Sequence, residues 1–448
     1  MLKVGMINLG CAKNQVDGEV LMGNIKKDGF ELCDDVGLAD IAIVNTCGFI
    51  ESAKRESIEE ILELATLKKE GRIKKIVVTG CLAERYKEEI MKEIPEADAV
   101  VGIGGNGNIA KILKDMLEGE KIESFPEKSQ MPLEGDRELT TPSYFAYLKI
   151  AEGCDNRCTY CAIPLIRGNY RSRTKESVLS EAKKLVENGA RELVVIAQDI
   201  SRYGLDLYGS LELSNLLKEM SKIEDLKWIR LMYLYPDTLS DELLKTIASE
   251  DKIVKYLEIP LQHANGRVLK DMNRRGDKES LTVLMKKIRK FVPNIVLRTT
   301  FIVGFPGETE EEFTELCEFC EEIKFDKMGC FPYSPEEDTV AATMKNQVDE
   351  DIKQSRANVL SEIQMRIMQE KGEAMIGKTV EVLTEGFDRY AECYFGRTYR
   401  DAPEVDGKVF FAFGDERPSY GQFAEVEIDE AMDADLMGVM RWNYEFAK

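Results

Sequence analysis

The sequence predicts an α/β protein in three parts: an N-terminal parallel α/β domain, a central partial (βα) barrel and a small C-terminal antiparallel β-barrel. Three observations lead there. Short apolar strands alternate with amphipathic helices over residues 3–117, the alternation resumes at 144, and after Gly377 short alternating runs are parted by Gly, Asp and Pro. The expected boundaries are 1–120, a linker at 121–143, a central domain at 144–376 and a terminal barrel at 377–448.

In the first domain three strand-like runs end at cysteines: 4–10 at Cys11, 41–46 at Cys47 and 75–80 at Cys81. The intervals, 36 and 34 residues, each match about one βαβ unit, whose crossover returns the chain to the same end of the sheet. All three thiols are therefore expected at the carboxyl edge, where open α/β sheets bind ligands. They form either a three-thiolate site without a fourth ligand or a set of small buried core cysteines. The glycine-rich run 102–107 matches neither a Walker nor a dinucleotide spacing and reads as a turn.

From 118 to 143 the chain becomes polar and carries Pro126, Pro132 and Pro142, the texture of a connector. Strands are then expected at 144–151, 193–197, 228–234, 256–260, 295–304 and 326–331, with helices such as 175–188 and 241–249 between them. Six parallel strands so connected place their working groups at the strands' carboxyl ends. A long helix at 350–374 has Val359, Leu360, Ile363, Ile367 and Met368 at helical spacing. Runs beginning at Val380, Ala391, Val409 and Ala424 then predict a barrel of about five strands.

The loop after the first central strand carries Cys154, Cys158 and Cys161 in a Cys-x3-Cys-x2-Cys spacing. Four thiolates would close a structural zinc site, whereas three hold three irons of a cubane cluster and leave the fourth open. Zinc would need a distant fourth ligand, and the only histidine is His263. His263 follows the fourth central strand, where it either positions a ligand or serves as a structural histidine. Cys317 and Cys320 share a helical stripe with Phe313, Leu316 and Ile323 and read as core.

No apolar run reaches the roughly 18 residues of a membrane span, and the chain enters a strand pattern at once, so a cytoplasmic protein is expected. Eleven cysteines without an export signal point to thiolate ligands or buried thiols rather than disulfides. A net charge of −21 opposes the phosphate backbone of nucleic acid and suits a basic protein partner.

The Cys154/Cys158/Cys161 spacing, with Tyr160 before the last cysteine, resembles the radical S-adenosylmethionine (SAM) superfamily. The resemblance implies a [4Fe–4S] cluster on those three cysteines, whose free iron binds SAM and whose electron cleaves it to a 5′-deoxyadenosyl radical. It also implies that Tyr160 lies against the adenine. The run 195–199, with Gln198 and Asp199, stands where the superfamily often has a Gly-Gly-Glu stretch receiving the SAM amino group. Gly304, ending the fifth strand, would let backbone approach the cofactor.

A three-cysteine α/β domain, a radical SAM barrel and a terminal barrel in this order resemble the radical SAM methylthiotransferases over nearly the whole chain. That resemblance implies a second [4Fe–4S] cluster on Cys11, Cys47 and Cys81, a TRAM domain at the C-terminus, and SAM as both methyl donor and radical source. It also implies a low-potential electron donor. One branch of the family modifies a tRNA adenosine; the other methylthiolates the β-carbon of an aspartate in ribosomal protein uS12. The runs at 9–19, 147–158 and 163–173 resemble the uS12 branch, with Ala12 where Pro is usual and Gly18 where Ser is usual. Residues 377–448 hold eight Lys and Arg against sixteen Asp and Glu, which favours the basic ribosomal protein over tRNA. A non-catalytic iron–sulfur or zinc protein with a docking barrel is the rival from another class.

Overall fold

The computed structural model describes residues 2–119, 121–414 and 417–441. Its first sheet contains β1 (Lys3–Asn8), β2 (Glu31–Leu32), β3 (Ile41–Thr46), β4 (Lys75–Gly80), β5 (Ala99–Val101) and β6 (Ile122–Ser124). The strands are parallel and run in the order β2-β1-β3-β4-β5-β6. The central strand β3 is buried along its length, as a strand covered on both faces must be. Ala42 and Val44 meet Ile61 and Leu64 of helix Glu51–Lys69. Ile41 and Ile43 point the other way, toward Leu21 and Ile25 of helix Ala12–Lys27.

Two details differ from the sequence expectation. The interval between Cys11 and Cys47 is not one simple βαβ unit, because β2 intervenes and pairs on the far side of β1. The segment expected to be a linker supplies β6, the sheet's last strand, paired with β5. Its remainder is also anchored: Arg137 and Thr140 both bind Glu19, so this stretch straps the first domain to the second. The glycine-rich run forms a short 3-10 helix, Ile103–Asn108, packed against the backbone of Pro126 and Glu127.

The central domain opens with β7 (Phe145–Lys149), followed by a two-stranded ribbon of β8 (Ala151–Glu152) and β9 (Arg171–Ser172) around the cysteine loop. Then come β10 (Glu192–Ile196), β11 (Trp228–Leu231), β12 (Ile253–Glu258), β13 (Val296–Val303) and β14 (Lys327–Pro332). With β7 they form a parallel six-stranded sheet in the order β14-β13-β12-β11-β10-β7, an incomplete barrel. Cys317 and Cys320 join or pack against its outer core, as the helical stripe predicts, and Cys330 of β14 packs there too.

The long helix is Glu350–Glu373, and its stripe differs from the expected one. Leu360 and Ile367 are buried, but Val359 is exposed, and Lys353, Arg356, Ala357 and Gln364 complete the inner face. The polar members have partners there: Arg356 binds Glu308 and Gln364 donates to the carbonyl of Phe325.

The terminal barrel contains β15 (Thr379–Asp388), β16 (Cys393–Arg397), β17 (Val409–Ala412), β18 (Phe423–Met432) and β19 (Asp435–Met440), closed in the order β15-β16-β17-β19-β18. It is antiparallel except at one seam, β17 with β19, which is parallel. Residues 442–448 of the expected domain lie outside the described residues.

The terminal barrel stops the amino-terminal end of the central one. Arg397 reaches Glu192 at the start of β10, at 2.7 Å, and Glu192 also binds Arg230. Asp406 accepts from Tyr256 and Arg298, both at 2.8 Å. The opposite, carboxyl end remains free to meet the first domain. No described helix is long and apolar enough to cross a membrane.

Candidate active site

The strand order of the first sheet reverses between β1 and β3, so the loops that follow them lead away to either side; such a switch point is where open α/β sheets bind ligands. Cys11 follows β1 and Cys47 follows β3, so they flank that crevice. Thr46 and Gly80 are paired in register, which sets the next residues, Cys47 and Cys81, at one level. Gly10 is required by this crowding. At φ +89 it occupies the left-handed region, and a Cβ there would meet the Cys47 Cβ at 2.7 Å and Sγ at 2.8 Å.

The carboxyl edge of this sheet faces that of the central barrel across a cavity of about 360 Å³. All six expected ligands, Cys11, Cys47, Cys81, Cys154, Cys158 and Cys161, line it. So do the expected cofactor residues Tyr160 and Gln198. Asp199 and Gly304 are not among its walls. Asp199 instead accepts from Ser201 and Asn156, fixing the turn beside the cysteine loop. Gly304, at φ +70, makes room for Lys353 of the long helix, whose Cγ would stand 2.2 Å from an added Cβ. His263 is fully buried behind the wall, where its Nδ1 accepts from the Asn265 amide; burial lowers its pKa to about 3 and keeps it neutral.

The cysteine loop is fixed by backbone bonds from Cys154 to Gly168 and from Cys161 to Cys158, both 3.1 Å. Burial raises Cys154 to about 11 and raises Cys161 further, so binding iron there must displace protons. Burial likewise raises Cys47, to about 12, with the neighbouring Cys81 reinforcing it. Cys11, which is exposed where the others are buried or half-buried, behaves differently: desolvation opposes its ionisation, but Lys13 and Arg167 outweigh it and lower the thiol.

Arg167 links the two trios. It leaves the helix Ile163–Arg167, just beyond Cys161, and donates to the Cys81 Sγ at 3.2 Å. It also binds Asp17, Asn14 and Glu152. Lys149 joins the same two carboxylates, and this network is almost wholly enclosed. Burial works against ionisation of Glu152, yet Lys149 and Arg167 hold its carboxyl far below the usual range.

Glu152 accepts the Gln198 amide nitrogen at 2.8 Å, which fixes the side chain so that Oε1 is left buried without a partner. An unmatched buried acceptor in a cavity wall marks a place for a ligand donor. Arg274 completes the far side, stacked on Tyr235 and hydrogen-bonded to the Pro260 carbonyl and the Tyr160 hydroxyl. Sequence reasoning had passed over Gly10, Lys13, Arg167, Tyr233, Glu258 and Arg274. Only their nearness to cysteines or strand ends could have indicated the first three, while the others converge only through the barrel.

Three thiols in each trio, with no fourth thiol or histidine beside them among the described residues in the cavity wall, fit the donor set of a cubane cluster with one open iron. A zinc site completed by histidine does not fit, since His263 is not in the cavity wall. Among the described residues no three His, Cys, Asp or Glu side chains draw together as around a single metal ion.

Residues 3–102 match the uncharacterized protein family UPF0004, 148–320 the radical SAM superfamily and 376–440 the TRAM domain. The chain is 50% identical over 443 residues to "Ribosomal protein uS12 methylthiotransferase RimO" of Clostridioides difficile (strain 630), covering 98% of each chain. It is 47% identical to the protein of that name from Acetivibrio thermocellus, covering 97% of this chain and 98% of the other. Among solved structures, the radical SAM methyltransferase TsrM from Kitasatospora setae, with cobalamin and a [4Fe-4S] cluster, has a TM-score of 0.58 at 15% identity. It covers 76% of each chain, a likeness of fold alone.

Proposed function

The chain belongs to the RimO family of radical SAM methylthiotransferases, and from that premise we propose that its two cysteine trios each carry a [4Fe–4S] cluster over one shared substrate cavity. The enzyme transfers a methylthio group to ribosomal protein uS12, at the β-carbon of an aspartate. The observation that carries this reading is the meeting of all six thiols in one cavity wall. When bound, the clusters and SAM supply a radical that removes hydrogen and the sulfur and methyl that replace it.

The protein's own groups supply position and environment. Cys154, Cys158 and Cys161 hold one cluster, and Cys11, Cys47 and Cys81 the other. Gln198 Oε1, left unpartnered and held in place by Glu152 behind it, would accept the SAM amino group. Tyr160, fixed by Arg274, forms the wall against the adenine. The apolar share of the wall and the stopped far end of the barrel keep bulk water from quenching a radical. A low-potential protein donor supplies the electrons.

The terminal barrel supports a basic protein partner over tRNA. Residues 377–448 hold sixteen Asp and Glu against eight Lys and Arg, so an acidic excess remains after Glu381 pairs with Lys227 and Glu427 with Arg441. Anionic side chains at this density repel phosphates and attract a Lys- and Arg-rich surface. The deciding experiment is anaerobic incubation of the reconstituted enzyme with SAM, reductant and either uS12 or tRNA, followed by mass spectrometry. A methylthio mass increment is expected on uS12. An increment on tRNA alone would reassign the substrate.

A further inference from the structure

The cavity wall contains three cationic side chains, Lys13, Arg167 and Arg274. They are not equivalent. Arg167 is neutralised by Asp17 and Glu152. Arg274 is committed to the Pro260 carbonyl and the Tyr160 hydroxyl and lies over the Tyr235 ring. Lys13 makes no ion pair with a carboxylate among the described residues; its ammonium stands 3.2 Å from the centroid of the Tyr233 ring, and Cys11 and Glu258 lie close enough to favour its charge. It is only 8% exposed, so water does little to solvate it.

The surroundings hold that ammonium in place. Lys13 is in the first turn of the helix that follows Cys11. Tyr233, just past β11, has a φ of +65, an uncommon conformation for an aromatic residue, and its amide donates to Glu258 at 3.2 Å. Glu258 is itself engaged by Arg298 at 3.4 Å. The ring of Tyr233 therefore provides a polarisable seat for the cation without neutralising it. The cation lies beside Cys11, whereas Arg274 lies beside Cys158 and Tyr160.

We infer that Lys13 anchors the substrate by ion-pairing with the side-chain carboxylate of the target aspartate. This rests on the uS12 reading above. In aspartate the carboxyl carbon is bonded directly to the β-carbon, so gripping the carboxylate fixes the C–H bond that is to be replaced. An ammonium in a low-dielectric wall also rejects a neutral side chain of the same shape, because Lys13 would then remain unpaired. Lys13 thus sets both position and selectivity for an anionic residue.

The test uses the full chain, reconstituted anaerobically, with uS12 carrying Asp or Asn at the target position. Lys13→Met and Lys13→Arg are compared with wild type for uS12 affinity and for iron per chain. Lys13→Met is expected to weaken binding of the Asp form by roughly 30-fold, the order of losing one partner of a buried charge pair, and to erase preference over the Asn form. Lys13→Arg should restore part of that preference. Unchanged Asp-over-Asn preference in Lys13→Met would overturn the proposal. So would loss of about half the iron in Lys13→Met, which would assign the charge to holding the adjoining trio. If wild type neither binds nor modifies uS12, the substrate reading itself fails, and the anchor with it.

Discussion

The two cysteine trios face one cavity but are built in opposite ways. Cys154, Cys158 and Cys161 occupy a single loop tied by local backbone bonds, and the loop is further clamped where Asn273 donates to the Arg157 carbonyl. Cys11, Cys47 and Cys81 come from three strand ends and meet only because β1, β3 and β4 are neighbours. The first trio needs a short loop; the second needs a folded sheet. Their charges differ as well, since Arg167 and Lys13 attend the second while Arg274 approaches the first, with its Nη1 3.9 Å from Cys158 Sγ.

The comparison is broken most completely by removing one trio at a time. Replacing Cys154, Cys158 and Cys161 with Ala should remove about half of roughly eight irons per chain and abolish reductive SAM cleavage, read as 5′-deoxyadenosine. Persisting 5′-deoxyadenosine would move the radical site elsewhere. Replacing Cys11, Cys47 and Cys81 should also remove about half the iron, but 5′-deoxyadenosine should still form while methylthio product disappears. Product from that variant would exclude a role for the second trio in sulfur insertion.

Arg167→Met probes what joins the two. It leaves the buried carboxylates of Asp17 and Glu152 sharing Lys149 alone and Cys81 without its donor, so we expect a loss of about 3–5 kcal/mol in denaturant unfolding of the apoprotein. A loss below 1 kcal/mol would show that water replaces the guanidinium. Gly10→Ala is the sharper instrument, because its methyl group collides with Cys47 of the second trio. Iron and visible absorbance from the second trio should fall while the first trio's signal stays. The smallest expected effect is that of Gln198→Leu, which removes the unmatched acceptor and should raise the KM for SAM by roughly tenfold with iron content preserved.

The first trio was legible because its ligands are separated by a few residues, within the reach of one loop. The second was legible as three strand ends, since periodicity locates strands and βαβ geometry returns each to the same edge. The acceptor role of Gln198 was half legible: its place after β10 was clear, whereas its free oxygen depends on Glu152 holding the amide from the ribbon. Asp199 and Gly304 show where position misleads, because being at a strand's carboxyl end does not determine whether a residue turns toward the cavity or toward a neighbouring helix. Val359 failed for a similar reason: apolar spacing cannot foresee that Lys353, Arg356 and Gln364 find partners beneath the helix.

By itself, the sequence determined the class of the fold, the three domains in order and the identity of six thiols, all properties of local pattern and spacing. The tertiary structure alone decided what surrounds them: that Arg167, from the helix after the first trio, reaches Cys81 of the second, that the loop before β17 stops the barrel, and that Lys13 has no carboxylate partner among the described residues. Charges and acceptors are matched across elements distant in the chain, and which of them remain unmatched appears only once the sheets have brought their edges together.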